Sequence, residues 1–216
     1  MKDLFDGASS VEAGQERLGP GAMVLRGFAM SHETALLDAL QDVLAAAPFR
    51  HMATPSGFRM SVAMTNCGSL GWITDRTGYR YDPVDPCTGR RWPPMPDVFL
   101  GLARAAAVEA GFNGFTPDAC LINCYRPGAR LSLHQYKDER DFGQPIVSVS
   151  LGIPAVFLFG GLRRRDGWIR VPAVHGDVVV WGGPARLRYH GVMPLEDGLH
   201  PVVGARRINL TFRKAA

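Results

Sequence analysis

A mainly β chain with flanking helices, of the α+β class, is the fold that this sequence predicts. Three observations carry the expectation. From residue 118 onward, short strand-like runs follow one another at regular spacing, set off by Gly and Pro. Upstream, two segments repeat apolar residues at helical intervals. The 216 residues, 46% hydrophobic and 20% charged, are enough for one compact domain with a real core.

After a loose start, AMVLRGFAM (22–30) reads as a strand. SHETALLDALQDVLAAA (31–47) reads as a helix capped by Ser31, with Leu36, Leu40, Val43, Leu44 and Ala47 on one face and Pro48 at its end. Residues 52–95 carry Gly, Pro, Thr and aromatics with only short strand-like pieces such as FRMSVAM (58–64), the pattern of an elaborate surface lobe. PDVFLGLARAAAVEAG (96–111) reads as a second helix, with Pro96 and Asp97 in its first turn and Gly111 as its stop. Then come ACLINCY, RLSLHQY, IVSVSLG, AVFLFG, WIRVPAV, DVVVWGG, RLRYHG and RRINLTFR, which together argue a sandwich or small barrel.

Composition narrows the function classes. MKDLFDGASSVEAGQERLGPGAM has no apolar run that would serve as a signal peptide, and no stretch approaches the length of a membrane span. The expectation is a soluble, cytoplasmic protein. Cys67, Cys87, Cys120 and Cys124 lack zinc-knuckle spacing and are expected to be reduced and mostly buried. A net charge of +4 permits a polyanionic partner without demanding one.

Three constellations have chemical potential. In RINLTFR the odd positions Arg207, Asn209, Thr211 and Arg213 share one face of a strand, while Ile208, Leu210 and Phe212 share the other. Either this is an edge strand with a solvated outer face, or its two guanidiniums grip carboxylates inside a barrel mouth, a pairing that suits the planar fork of Arg. Asn123 and Tyr125 fall on one face of LINCYRPG, before a turn at Pro127 and Gly128, and are either grips for a small acid or polar residues at a strand end. His134 lies on one strand and His190 follows another. Each alone reads as a structural histidine; together, with a carboxylate two residues after the first, they would make the two-histidine, one-carboxylate site of Fe(II) oxygenases. His32, His51, His175 and His200 have no such context.

NCYRPGARLSLHQ, SVSLG, FGG, HGDVVVWGG, YHG and RRINLTFR, with TPSGFRMSVAMTNCGSLGW (54–72), together resemble the AlkB-type Fe(II)/2-oxoglutarate-dependent dioxygenases that repair alkylated bases in DNA and RNA. The resemblance spans nearly the whole chain. It implies a double-stranded β-helix (jelly-roll) core over 94–216, an N-terminal strand and helix packed on it over 1–47, and a nucleotide-recognition lid over 48–93. It implies Fe(II) on His134 and His190, and 2-oxoglutarate contacted by Asn123, Tyr125, Arg207, Asn209 and Arg213, with Arg207 and Arg213 at its two carboxylates. Substrate contacts map to Trp72, Tyr79, Tyr81, Asp138 and Arg164. Aromatic residues there suit a damaged base taken out of the stack, and an acid nearby would favour a cationic methylated base. The implied reaction consumes 2-oxoglutarate and O2, hydroxylates an N-methyl group, and releases succinate, CO2 and formaldehyde. The implied partner is alkylated single-stranded DNA, with double-stranded DNA and RNA open; no membrane is involved, and the chain is expected to be a monomer. Arg163, Arg164 and Arg165 form a basic run that either meets phosphates or is a solvated loop.

One position departs from the family. The residue two after the first histidine is Asp there and Tyr136 here, which puts the third metal ligand in question. A phenol must shed its proton to bind metal well, whereas a carboxylate is ionised already, and Tyr is also the longer side chain. Asp138 has the right parity, but along an extended strand it would lie roughly 13 Å from His134, against roughly 7 Å for position 136. Three readings stay open: a chain altered to weaken metal chemistry, a natural homologue with changed activity, or Tyr136 as a phenolate ligand. Beyond catalysis, two alternatives also stand. One is a module that captures damaged nucleic acid without chemistry; the other is a 2-oxoglutarate dioxygenase acting on a protein or small molecule.

Overall fold

In the computed structural model, residues 14–216 are described. The first part of the loose start, residues 1–13, lies outside the described residues, and with it part of the N-terminal stretch read above for a signal peptide. In chain order the elements are β1 (Gly14–Gly19), β2 (Ala22–Arg26), α1 (Glu33–Ala46), β3 (Arg50–Ala53), β4 (Arg59–Gly68), β5 (Gly71–Asp75), β6 (Gly78–Asp82) and α2 (Asp97–Glu109). There follow β7 (Ala119–Tyr125), β8 (Leu131–His134), β9 (Ile146–Gly152), β10 (Ala155–Phe159), β11 (Ile169–Ala173), β12 (Val178–Trp181), β13 (His190–Val192) and β14 (Arg207–Arg213). Among the described residues, no helix is long and apolar enough to cross a membrane.

The last eight strands divide evenly between two sheets. β7, β9, β12 and β14 lie in a large antiparallel sheet of order β1-β2-β12-β9-β14-β7-β4-β3, and β8, β10, β11 and β13 form a smaller one of order β11-β10-β13-β8. The chain passes back and forth between the sheets, which is the double-stranded β-helix implied by the resemblance. Strand alternation explains why one sheet serves two cores. Ile208, Leu210 and Phe212 of β14, Cys120, Ile122 and Cys124 of β7, and Val147, Val149 and Leu151 of β9 pack with Leu36, Leu40 and Val43 of α1 and Phe99, Leu102 and Ala106 of α2. Phe212 meets Phe99 edge-on at 6.0 Å between centroids, a contact of about 0.5–1.5 kcal/mol beyond area burial. The opposite parity of the same strands faces the smaller sheet, where Leu121, Tyr125, Ile146, Val179 and Trp181 join Phe157, Phe159 and Val192. β14 lies between β7 and β9 with all seven residues buried, so the solvated edge strand is excluded.

Several local expectations shift. Residues 14–19, within the expected loose start, form β1 in antiparallel pairing with β2. Ser31 does not cap α1: a 3₁₀ turn over Met30–His32 leads the chain in, the helix starts at Glu33, and the Ser31 hydroxyl lies 2.9 Å from His32 Nδ1. α2 ends near Gly111, whose φ of +86° lets the chain reverse without a Cβ penalty. β3 and β4 are not an irregular surface lobe but extend the large sheet, with β4 paired to β7 from Ala63 to Gly68. Only the β5-β6 hairpin stands as a separate two-stranded sheet. β8 stops at His134, and RLRY (186–189) is a turn rather than a strand, so His190 opens β13 instead of following a strand. Cys67, Cys120 and Cys124 are buried and Cys87 is exposed, all as free thiols.

Candidate active site

Two facing histidines form the centre. His134 at the end of β8 and His190 at the start of β13 are directly paired across the smaller sheet, with ring centroids 4.4 Å apart. Gly191 permits this approach: a Cβ there would lie 2.8 Å from the Leu131 carbonyl oxygen. His134 Nδ1 lies 2.8 Å from the Ser132 carbonyl and His190 Nδ1 3.0 Å from the Arg188 carbonyl. A carbonyl only accepts, so each Nδ1 carries the proton and each Nε2 presents a lone pair, the tautomer of a metal-binding imidazole. His190 Nε2 is buried without a partner among the described residues. Burial pushes His134 down to about 4 and, together with the neighbouring His134, holds His190 well below its ordinary value. Both rings are therefore neutral at pH 7.

The inner face of β14 and its neighbours supplies a polar wall. Arg207 Nη2 donates to Ser150 Oγ at 2.9 Å, while its Nε and Nη1 are buried and unpaired. Its Cζ lies 5.1 Å from the Tyr125 ring centre, and burial lowers its pKa. Asn209 donates to Ser148 Oγ and to the Val149 carbonyl, both at 2.8 Å, and accepts from Thr211 Oγ1 at 3.0 Å. Asn209 is thus committed to holding the wall, whereas Asn123 Oδ1 is buried and unpaired. Tyr125 is 1% exposed, and burial raises its pKa. Arg213 Nε and Nη2 are unpaired as well. Each unsatisfied buried polar group costs about 1–3 kcal/mol, so this concentration of orphans on one inner face marks a ligand site. Four unpaired guanidinium nitrogens on two arginines suit a compound with a carboxylate at each end.

A network that sequence reading missed holds Arg213 from behind. Glu139 accepts from Arg186 Nη2 at 3.2 Å and from the Tyr81 hydroxyl at 2.6 Å, and lies 3.6 Å from Arg213 Nη1, which in turn donates to Tyr81 OH at 2.8 Å. Burial pushes the Glu139 carboxyl up, but Arg213, the Tyr81 hydroxyl and Arg186 together hold it below its usual value. Within KDER no local signal marks Glu139, whose partners come from distant parts of the chain. The expected substrate residue Tyr81 spends its hydroxyl here, and burial raises its pKa.

The other expected substrate residues lie on the β5-β6 hairpin and near His134. Trp72 and Tyr79 on the β5-β6 hairpin stack at 5.7 Å with ring planes 21° apart. Trp72 Nε1 donates to Asp138 Oδ2 at 2.9 Å, and the Asn66 side-chain amide bonds both backbone polar groups of Trp72 at 3.0 Å. Arg164 Nη1 donates to the Leu133 carbonyl at 2.6 Å, beside His134. Arg163 and Arg165 are exposed.

Tyr136, just past β8, stands beside both histidines and Arg213. Its ring centre is 4.3 Å from that of His190, 5.2 Å from that of His134, and 3.6 Å from Arg213 Cζ, and it stacks on Trp181 at 6.0 Å. Among the described residues, no group of three or more His, Cys, Asp and Glu is arranged to hold a metal. Asp138 is held by Trp72 and Glu139 by two arginines and Tyr81. The imidazole pair fits a transition metal and the arginine wall fits a dicarboxylate; the carboxylate that would complete a two-histidine, one-carboxylate set is replaced by a phenol ring.

A family model described as the 2OG-Fe(II) oxygenase superfamily matches residues 21–213. The chain is 59% identical over 216 residues to the alpha-ketoglutarate-dependent dioxygenase AlkB of Salmonella typhimurium, covering 100% of this chain and 99% of that one. It is 56% identical over 215 residues to the protein of the same name in Escherichia coli, covering 100% and 98%. Over 171 residues it is 38% identical to the DNA N(6)-methyladenine demethylase ALKBH1C of Arabidopsis thaliana, covering 67% of this chain and 38% of that one. The solved structure titled "The structure of OsALKBH1" superposes with a TM-score of 0.81 at 27% identity, covering 93% of this chain and 100% of that one. The facing imidazoles, the arginine wall between two antiparallel sheets and these similarities converge: the chain belongs to the 2OG-Fe(II) oxygenase superfamily and, within it, to the AlkB-type Fe(II)- and 2-oxoglutarate-dependent dioxygenases.

Proposed function

We propose that this chain carries out oxidative demethylation of N-alkylated bases in nucleic acid, with alkylated single-stranded DNA as its principal substrate. The observation that carries the reading is a paired aromatic surface, Trp72 and Tyr79, bonded through Trp72 Nε1 to Asp138 four residues past His134, together with the facing His134 and His190 and a wall of unpaired guanidiniums. In overall balance, an N-methylated base, 2-oxoglutarate and O2 give the unmethylated base, formaldehyde, succinate and CO2. Bound Fe(II) with 2-oxoglutarate supplies the oxidising chemistry.

The chain's own residues bind, orient and exclude. His134 and His190 would hold iron through Nε2, each ring fixed by its Nδ1 bond to a carbonyl. Arg207 and Arg213 would take the carboxylates of 2-oxoglutarate, with Asn123 and Tyr125 beside them and Asn209 bracing the wall. Residues 48–93 would act as the lid. Within that span it is the β5-β6 hairpin that would cover the site, where Trp72 and Tyr79 would hold a base out of the stack, with Asp138 set to favour a cationic one and Arg164 placed near the backbone. Arg163 and Arg165 would meet phosphates. The proposed working state is a cytoplasmic monomer.

The test is incubation with Fe(II), 2-oxoglutarate and an oligonucleotide bearing N-methylated bases, following succinate and formaldehyde, with single-stranded DNA, duplex DNA and RNA compared. Methyl-dependent release of both products supports the reading. Their absence from this chain and from Tyr136→Asp alike overturns it. The ring of Tyr136 favours a second reading, capture of damaged nucleic acid without turnover; tight methyl-dependent binding with no succinate would select it.

A further inference from the structure

The Tyr136 ring makes a set of contacts that the reaction itself does not require. We infer that Tyr136 is a plug rather than a ligand: its ring occupies the third-donor position and covers Arg213, and it must be displaced before metal and 2-oxoglutarate are bound together. The inference rests on the site reading proposed above and deepens it.

Four observations support it. The ring lies face-on to the Arg213 guanidinium at 3.6 Å, so the arginine expected to meet a carboxylate is already in a cation–π contact. The ring also sits 4.3 Å from the His190 ring, whose Nε2 is buried and unpaired. Among the described residues, the Tyr136 hydroxyl forms no hydrogen bond, so the face of the ring and not its oxygen makes the contacts. The backbone keeps the ring at this post: Arg186 Nη1 donates to the Tyr136 carbonyl at 2.7 Å, and Gln135 Nε2 donates to the Leu187 carbonyl at 2.6 Å. The cost of moving the ring falls on metal and cosubstrate alike. Metal is left with two imidazole donors, and 2-oxoglutarate competes with an aromatic ring for Arg213.

The test measures binding, using Co(II) in anaerobic equilibrium dialysis and 2-oxoglutarate by calorimetry without metal, on the parent and on Tyr136→Phe, Tyr136→Ala and Tyr136→Asp. Circular dichroism and melting temperature verify folding. Loss of even an outer hydrogen-bond partner changes metal affinity by about 10–100-fold, so Tyr136→Asp is expected to bind Co(II) at least about tenfold more tightly than the parent. Tyr136→Phe should match the parent, because it keeps the ring and loses only the oxygen. Tyr136→Ala should bind metal-free 2-oxoglutarate about tenfold more tightly, the order of a desolvated cation–π contact removed from Arg213. If Tyr136→Phe loses about tenfold in Co(II) affinity, the hydroxyl is a ligand and the inference is wrong. No gain in Tyr136→Asp, or none for 2-oxoglutarate in Tyr136→Ala, overturns it as well. If no variant binds Co(II), the metal reading of His134 and His190 fails and this inference falls with it.

Discussion

Replacing Glu139 with glutamine removes one charge and almost no volume, which makes it a sharp probe of how the site is held. The Glu139 side chain is 1% exposed, and the arginines it faces, Arg186 and Arg213, are 3% and 1% exposed. Breaking a buried ion pair by neutralising one partner costs about 3–5 kcal/mol, because the remaining charge stays desolvated. Glutamine can still accept from the Tyr81 hydroxyl, so the lower end, about 3 kcal/mol, is expected for Glu139→Gln. For a chain of this size that corresponds to a melting-temperature loss of roughly 6–12 °C. Urea unfolding at pH 7 and a thermal scan measure it. The pH dependence supplies an independent sign. The folded-state pKa of Glu139 is depressed, so its contribution is fully present above the ordinary carboxylate range and is lost as pH falls through the depressed value. The parent should therefore lose stability on acidification more steeply than Glu139→Gln, and the two curves should converge at low pH. Equal stability at pH 7 within about 0.5 kcal/mol, or parallel acid profiles, would refute the claim that Glu139 secures Arg213.

Three further outcomes follow from the same geometry. Arg207→Met, which removes two unpaired buried nitrogens from the wall, should weaken 2-oxoglutarate binding in calorimetry by about 2–5 kcal/mol, the usual loss when one partner of a buried charge contact is truncated. Asn209→Ala leaves Thr211 Oγ1 without its acceptor, and Ser148 Oγ and the Val149 carbonyl without their donor; a loss of about 1–3 kcal/mol in urea unfolding is expected, with the fold retained. Trp72→Ala should weaken binding of a methylated single-stranded oligonucleotide by about 1–3 kcal/mol in fluorescence anisotropy. Trp72→Phe, which loses the bond to Asp138 and part of the ring area but keeps an aromatic face, should lose less.

The division of labour between sequence and tertiary structure is visible in β14. Its alternation of Ile208, Leu210 and Phe212 with Arg207, Asn209, Thr211 and Arg213 declares two chemically different faces, because successive residues of a strand point to opposite sides whatever surrounds it. What the alternation leaves open is whether the polar face meets water or a closed interior. Burial of all seven residues between β7 and β9 decides that, and it makes the two arginines buried charges rather than surface ones. His134 and His190 were legible as a pair through their family context, but their 4.4 Å ring separation depends on the pairing of β8 with β13 and on the missing side chain of Gly191. Strand propensity carried RLSLHQY two residues too far, since the ladder to β13 ends at His134.

The β-rich core, both helices and the chemistry available along each strand are written in local patterns of spacing and residue type. Which groups meet is set by the folded chain. Glu139 becomes a buried counter-ion because Arg186, Arg213 and Tyr81 reach it from distant parts of the chain, and Tyr136 becomes an aromatic cover because Arg213 lies beneath its ring. Periodicity specifies which face of an element is buried, whereas the partner on that face is set by pairings between residues far apart in the chain, to which local spacing is blind.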